Sequence, residues 1–91
     1  VFQFMAALEQ AARELGFGAV DARRLSVAAF RGAAELAAGD DAALIELQER
    51  VTSKGGTTYA ALTHLREAGV ARAIAEAALK AAQRARELSA G

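Results

Sequence analysis

Cysteine is missing from all 91 residues, which excludes a disulfide framework and the familiar thiolate metal sites. Proline is missing as well, so no turn has a residue whose φ is fixed in advance. Neither sign of charge is in excess: eleven basic residues balance eleven acidic ones. No global field therefore draws in nucleic acid or an anionic membrane. No apolar run approaches a membrane span, and no signal-peptide layout precedes the first helical pattern. With the lack of cysteine, this sets the expectation of a cytoplasmic protein. Nowhere does the chain sustain a two-residue alternation, so no strand is expected.

What it does have is small apolar residues in helical order. Hydrophobic residues make up 54% of the chain, above the usual share for a soluble domain, and much of that is alanine. The length fits one small domain over residues 1–91, which alone would bury only about 60–65% of its unfolded surface. Periodicity and glycine punctuation predict an all-α fold of five helices. The first runs from Val1 to Leu15 and stops at Gly16, where a left-handed residue is expected. The second spans Ala19 to Ala38, with Asp21 in its first turn and Gly39 beyond its end. Asp40 or Asp41 is expected to cap a short third helix reaching Arg50. A fourth starts at the Gly55-Gly56-Thr57-Thr58 turn and ends near Ala68, closed by Gly69. The fifth runs from Val70 to about Leu88. The pattern is already helical at Val1, with Phe4, Leu8, Ala11 and Leu15 on one stripe and no capping residue ahead of it. Sequence upstream is therefore expected, and with it a longer protein.

The second helix carries two apolar stripes, one of Leu25, Ala29, Gly32 and Leu36, the other of Val27, Phe30, Ala34 and Ala37. Two stripes imply burial on two sides. The fifth helix presents Ile74, Ala77, Ala78, Ala81, Ala85 and Leu88 on a broad face of mostly small residues, which lets helix axes approach closely. Self-association is the expected result, with Leu25, Ala29, Gly32, Ala33, Leu36, Ile74, Ala77, Ala78, Ala81 and Ala85 at a homodimer interface.

The chemically distinctive stretch is Val51-Thr52-Ser53-Lys54-Gly55-Gly56-Thr57-Thr58. Adjacent glycines open backbone angles closed to other residues and let a ligand reach the main chain. Thr57 or Thr58 is expected to cap the next helix, whose first N–H groups lack intrahelical partners and carry partial positive charge. Bare amides, a dipole end and hydroxyls together suit a small carboxylate or phosphate. A plain helix–helix linker with a threonine cap is the competing reading.

That stretch resembles the V-T-S-P-G-G-T-T signature of the pyrroline-5-carboxylate reductase family, and the likeness continues in order along the chain. Val1-Phe2 followed by Ala7-Leu8 is similar to the helix after the family's S-G-S-G-P-A-Y segment. Leu15-Gly16-Phe17 resembles its L-G-L turn and Arg31-Gly32-Ala33-Ala34 its G-A-A helix. Leu65-Arg66-Glu67-Ala68-Gly69-Val70 is similar to its L-E-x-G-G-V junction, and Arg84-Ala85-Arg86-Glu87-Leu88 to its closing R-S-R-E-L.

The resemblance implies the second half of a two-domain oxidoreductase of proline biosynthesis, which reduces 1-pyrroline-5-carboxylate to L-proline. The expected fold is an interlocked helical dimerisation domain of the 6-phosphogluconate-dehydrogenase C-terminal type; some members assemble dimers into decamers. NADP or NAD would be bound by a Rossmann domain, and no strand-Gly-x-Gly-x-x-Gly-helix unit occurs in these 91 residues. The isolated chain is accordingly expected to be inactive. By resemblance, Ser53, Gly55, Gly56, Thr57 and Thr58 form the substrate-binding loop. The amides of Gly56, Thr57 and Thr58, with Ser53 nearby, would hold the carboxylate. The Thr58 hydroxyl would orient the imine nitrogen without acting as a general acid, since threonine is a poor proton donor near neutral pH. Two positions depart from the family: Lys54 and Ala19 stand where proline is common. Without proline at Lys54 the loop is less restricted before binding, and Lys54 itself reads as a solvated charge.

Other candidates carry no chemistry. His64 is the sole histidine and has no cysteine or carboxylate cluster near it in sequence. Lys54-Gly55-Gly56-Thr57 is not a P-loop, since its lysine precedes the glycines. Asp40 and Asp41 lack further metal ligands, and Arg84 and Arg86 are answered by Glu87 and form no basic patch. The reading from another class is a stand-alone helical dimerisation module whose loop is only a connection.

Overall fold

A computed structural model, describing residues 1–90, is helical throughout with no strand among those residues. Its elements are α1 (Phe2–Glu14), α2 (Ala19–Ala38), α3 (Leu44–Arg50), α4 (Thr57–Glu67) and α5 (Val70–Ala90). They form two compact units, Val1–Leu47 and Gln48 onward.

In the first unit α1 packs against α2. Gly16, at φ +106°, ends α1 as expected. The Phe17 N–H donates to the Ala12 carbonyl at 3.1 Å and the Gly16 N–H to that of Arg13 at 3.0 Å. These two bonds satisfy carbonyls that the helix end would leave open. The contact between the helices differs from the apolar stripes read in sequence. Ala22 and Ser26 are the buried residues of α2, and Phe30 and Ala37 are half-buried further along. Ser26 lies in neither stripe because a hydroxyl reads as polar. Here it donates to the Ala22 carbonyl at 2.8 Å, and this bond within its own helix lets a small side chain sit at the crossing without an unsatisfied group. Phe30 meets Phe4 edge-on, ring centroids 5.5 Å apart, a favoured aromatic geometry. On α1 the half-buried residues are Met5, Glu9 and Ala12, while all five residues of the expected stripe, Val1, Phe4, Leu8, Ala11 and Leu15, are exposed.

The third helix begins at Leu44, later than the expected cap at Asp40 or Asp41. Asp40 Oδ1 accepts the Ala42 N–H at 2.8 Å, so this aspartate closes a local turn two residues on and leaves Ala43 to supply the first helical carbonyl. In the second unit α4 packs against α5. Thr58, Leu62 and Leu65 of α4 are half-buried and share one face, and Val70 is half-buried at the start of α5. Gly69, at φ +72°, makes the corner: its N–H donates to the Arg66 carbonyl at 3.1 Å and its carbonyl starts the α5 ladder.

Candidate functional site: the turn before α4

The turn is built from the end of α3 forward. Thr52 donates its hydroxyl to the Gln48 carbonyl at 2.6 Å and its N–H to that of Glu49 at 3.1 Å, which closes α3. The chain then reverses over Ser53–Gly56, the Gly56 N–H donating to the Ser53 carbonyl at 3.0 Å. Gly55, third of the four, has φ +77°, the requirement of a type II turn, which favours glycine there and proline at the position before it. Lys54 occupies that preceding corner, is exposed, and is the only charged residue between Arg50 and Arg66.

The two glycines serve different ends. Gly55 needs its backbone angle, whereas Gly56 has φ −85° and ψ −177°, open to any residue. A Cβ there would lie 2.5 Å from Ser53 Oγ, which an exposed serine can turn aside, and 3.3 Å from the Ser53 carbonyl oxygen, which the turn holds in place.

Gly56 is also the N-cap of α4, and no side-chain bond caps this helix. The threonine cap expected from sequence is not formed. Thr57 and Thr58 are the first two helical residues, past the position from which a hydroxyl can reach the open amides. The first intrahelical bond runs from the Ala60 N–H to the Gly56 carbonyl at 3.1 Å. The amides of Thr57, Thr58 and Tyr59 therefore precede the ladder, at the positive end of the helix dipole. Gly56, expected to offer its amide to a ligand, uses it inside the turn. Thr57 is exposed, while Thr58 heads the packed face of α4 and is half-buried.

All ten residues expected at a dimer interface are exposed in the chain by itself, from Leu25 to Leu36 on α2 and from Ile74 to Ala85 on α5. The chain exposes 7639 Å². A compact monomer of 9.4 kDa would expose about 5,000 Å², and two separate compact bodies of half that mass about 6,000 Å² together. Large apolar side chains are exposed in both units, Phe2 and Leu36 in the first, Ile74 and Leu79 in the second. Among the described residues no cluster of three potential ligands could hold a metal ion, and no helix is long and apolar enough to cross a membrane.

The family model for pyrroline-5-carboxylate reductase dimerisation matches residues 1–88. The chain belongs to that family. It is 35% identical over 88 residues to a pyrroline-5-carboxylate reductase of Pseudomonas aeruginosa, covering 97% of this chain and 32% of that protein. The reductase of Corynebacterium melassecola is 38% identical over 88 residues, 97% of this chain and 33% of its own length. That of Vibrio alginolyticus is 39% identical over 88 residues, 96% and 32% respectively. The chain thus spans about a third of the length of these curated relatives.

Proposed function

We propose that this chain is the part of a pyrroline-5-carboxylate reductase that joins two protomers and holds the substrate by its carboxylate, in a cytoplasmic enzyme of proline biosynthesis. The observation that carries the second half of this reading is the uncapped start of α4 behind the Ser53–Gly56 turn. A carboxylate set against the Thr57 and Thr58 amides would find two donors and a favourable dipole end. Gly56 would help by keeping the approach clear of a side chain, and Gly55 by letting the chain reverse. The Thr58 hydroxyl would hydrogen-bond the ring nitrogen and set the imine's orientation, a positioning role worth rate only if the bound geometry is close to the reactive one.

The family also implies NADPH or NADH as reductant. Among the described residues there is no strand–glycine turn–helix unit to cradle a dinucleotide, so no part of the hydride transfer is assigned to this chain. Its contribution is to bind and orient.

Dimerisation is supported by the family match and by area. The surface left bare, roughly 1,600 Å² beyond two separate compact bodies, is of the size each partner buries in an obligate homodimer. The small residues on α2 and α5 suit close, self-complementary helix contacts.

The test uses the full-length reductase. Thr58→Val keeps the shape and removes the hydroxyl, so kcat/KM for the imine carboxylate should fall about five- to thirtyfold, the value of one positioning hydrogen bond. Unchanged efficiency would leave the loop as a connection and favour a domain that only dimerises.

A further inference from the structure

We propose that α2 packs against the α2 of a second copy across a two-fold axis, with the closest approach at Ala29 and Gly32. This rests on the dimer reading above and says which surface makes the contact. Gly32 is the only glycine inside a helix among the described residues. Glycine in mid-helix is destabilising relative to alanine, so its presence there needs a reason. Backbone angle is not the reason, because Gly32 is not in the left-handed region. Packing within the protomer is not the reason either, because a Cβ there would meet nothing within 4 Å. What remains is close approach by something outside the protomer.

The surroundings of Gly32 show what that is. At about 100° per residue, Leu25, Ala29, Gly32 and Leu36 fall within about 60° of one another around α2, and no other residue of the helix enters that arc. All four are exposed, Leu25 at 47% and Leu36 at 54%. No charge would have to be desolvated to cover them. Their spacing of four, three and four residues, leucines outermost and small residues within, reads the same from either end. Set against a second copy of itself, such a face brings leucine to leucine and lets the two backbones close at the middle. Each contact is then made twice, as an isologous interface requires, and one glycine serves both helices. The face of α5 has no glycine and so offers no equally close surface.

The chain has no cysteine, so introduced cysteines report proximity without background. Ala29→Cys, Gly32→Cys, Ala34→Cys and Ala78→Cys are made singly in the 91-residue chain and oxidised alone and in pairwise mixtures. The readout is the shift on a non-reducing denaturing gel from 9.4 kDa to twice that mass. A disulfide closes only where Cα atoms come within about 7 Å. Ala29→Cys and Gly32→Cys, alone or mixed with each other, should give the covalent dimer; Ala34→Cys, on the opposite side of α2, should not. Covalent dimer chiefly from Gly32→Cys mixed with Ala78→Cys would overturn the pairing, setting α5 on α2 and leaving the dimer itself standing. Dimeric mass without cross-linking at 29 or 32 overturns it too, and a folded monomer removes the dimer reading as well. Gly32→Ala gives a second readout. On a solvent-facing helix this change stabilises; here it should raise the dimer dissociation constant about tenfold through overpacking, with helical content unchanged. An unchanged or lower constant overturns the pairing even where the cysteine variants fail to fold.

Discussion

The residue on which the loop's stiffness turns is Lys54. It stands at the corner of the Ser53–Gly56 turn, where proline favours the type II geometry that Gly55 adopts. The family signature that this stretch resembles has proline at that position. A lysine leaves the unfolded loop more conformations to lose on folding. Lys54→Pro should therefore stabilise the protein by about 0.4–1 kcal/mol, seen as a higher denaturation midpoint at fixed protein concentration. A lower midpoint would mean that the corner does not have the angles proline requires. Loss of the lysine charge should matter little, because exposed charges contribute weakly. The adjacent glycines show what sequence could and could not reveal at this scale. That a glycine pair before a helix marks a special turn was legible from residue types alone. That only Gly55 needs a left-handed angle, while Gly56 is extended backbone bonded to the Ser53 carbonyl, was not, because Ser53 reaches Gly56 only through the fold of the turn.

At the scale of elements, helix positions were legible wherever glycine follows a periodic run. Gly16 and Gly69 adopt left-handed angles at the ends of α1 and α4, and α2 spans Ala19–Ala38 as its apolar pattern predicts. The starts of α3 and α4 were less so. Asp40 and the two threonines are all good capping types, and only the local backbone decides whether such a side chain closes a turn, caps a helix or enters one. The α1–α2 contact was hidden for a different reason: its closest point is made by Ala22 and Ser26, small residues that add little to an apolar stripe. Space at that crossing governs the contact. Ser26→Leu should thus destabilise by about 1–3 kcal/mol through overpacking. Ser26→Ala should be nearly neutral, since the hydroxyl bonds only within its own helix. Equal losses from the two substitutions, followed by denaturant unfolding, would show that the hydroxyl and not the space is what counts.

For the whole molecule the governing fact is how little is buried. Only Ala22 and Ser26 are buried among the described residues, while Phe2, Leu36, Ile74, Leu79 and Leu88 are more than half exposed. Sequence pointed to this outcome through two apolar faces on one helix and an alanine face on another, but periodicity alone does not say which face meets which. A chain with this much bare apolar surface is stable only when something covers it, and membership of the dimerisation family makes a second copy the natural cover. Gly32 offers a clean probe, because a Cβ there meets nothing within 4 Å in the chain by itself. A side chain added there starts in open space, so Gly32→Leu should act chiefly on assembly. The most direct measurement is the mass of the 91-residue chain in solution at micromolar concentration, by sedimentation equilibrium, for wild type and Gly32→Leu. The account predicts a wild-type mass of twice 9.4 kDa and a shift toward monomer for Gly32→Leu; a well-folded wild-type monomer of 9.4 kDa would contradict it.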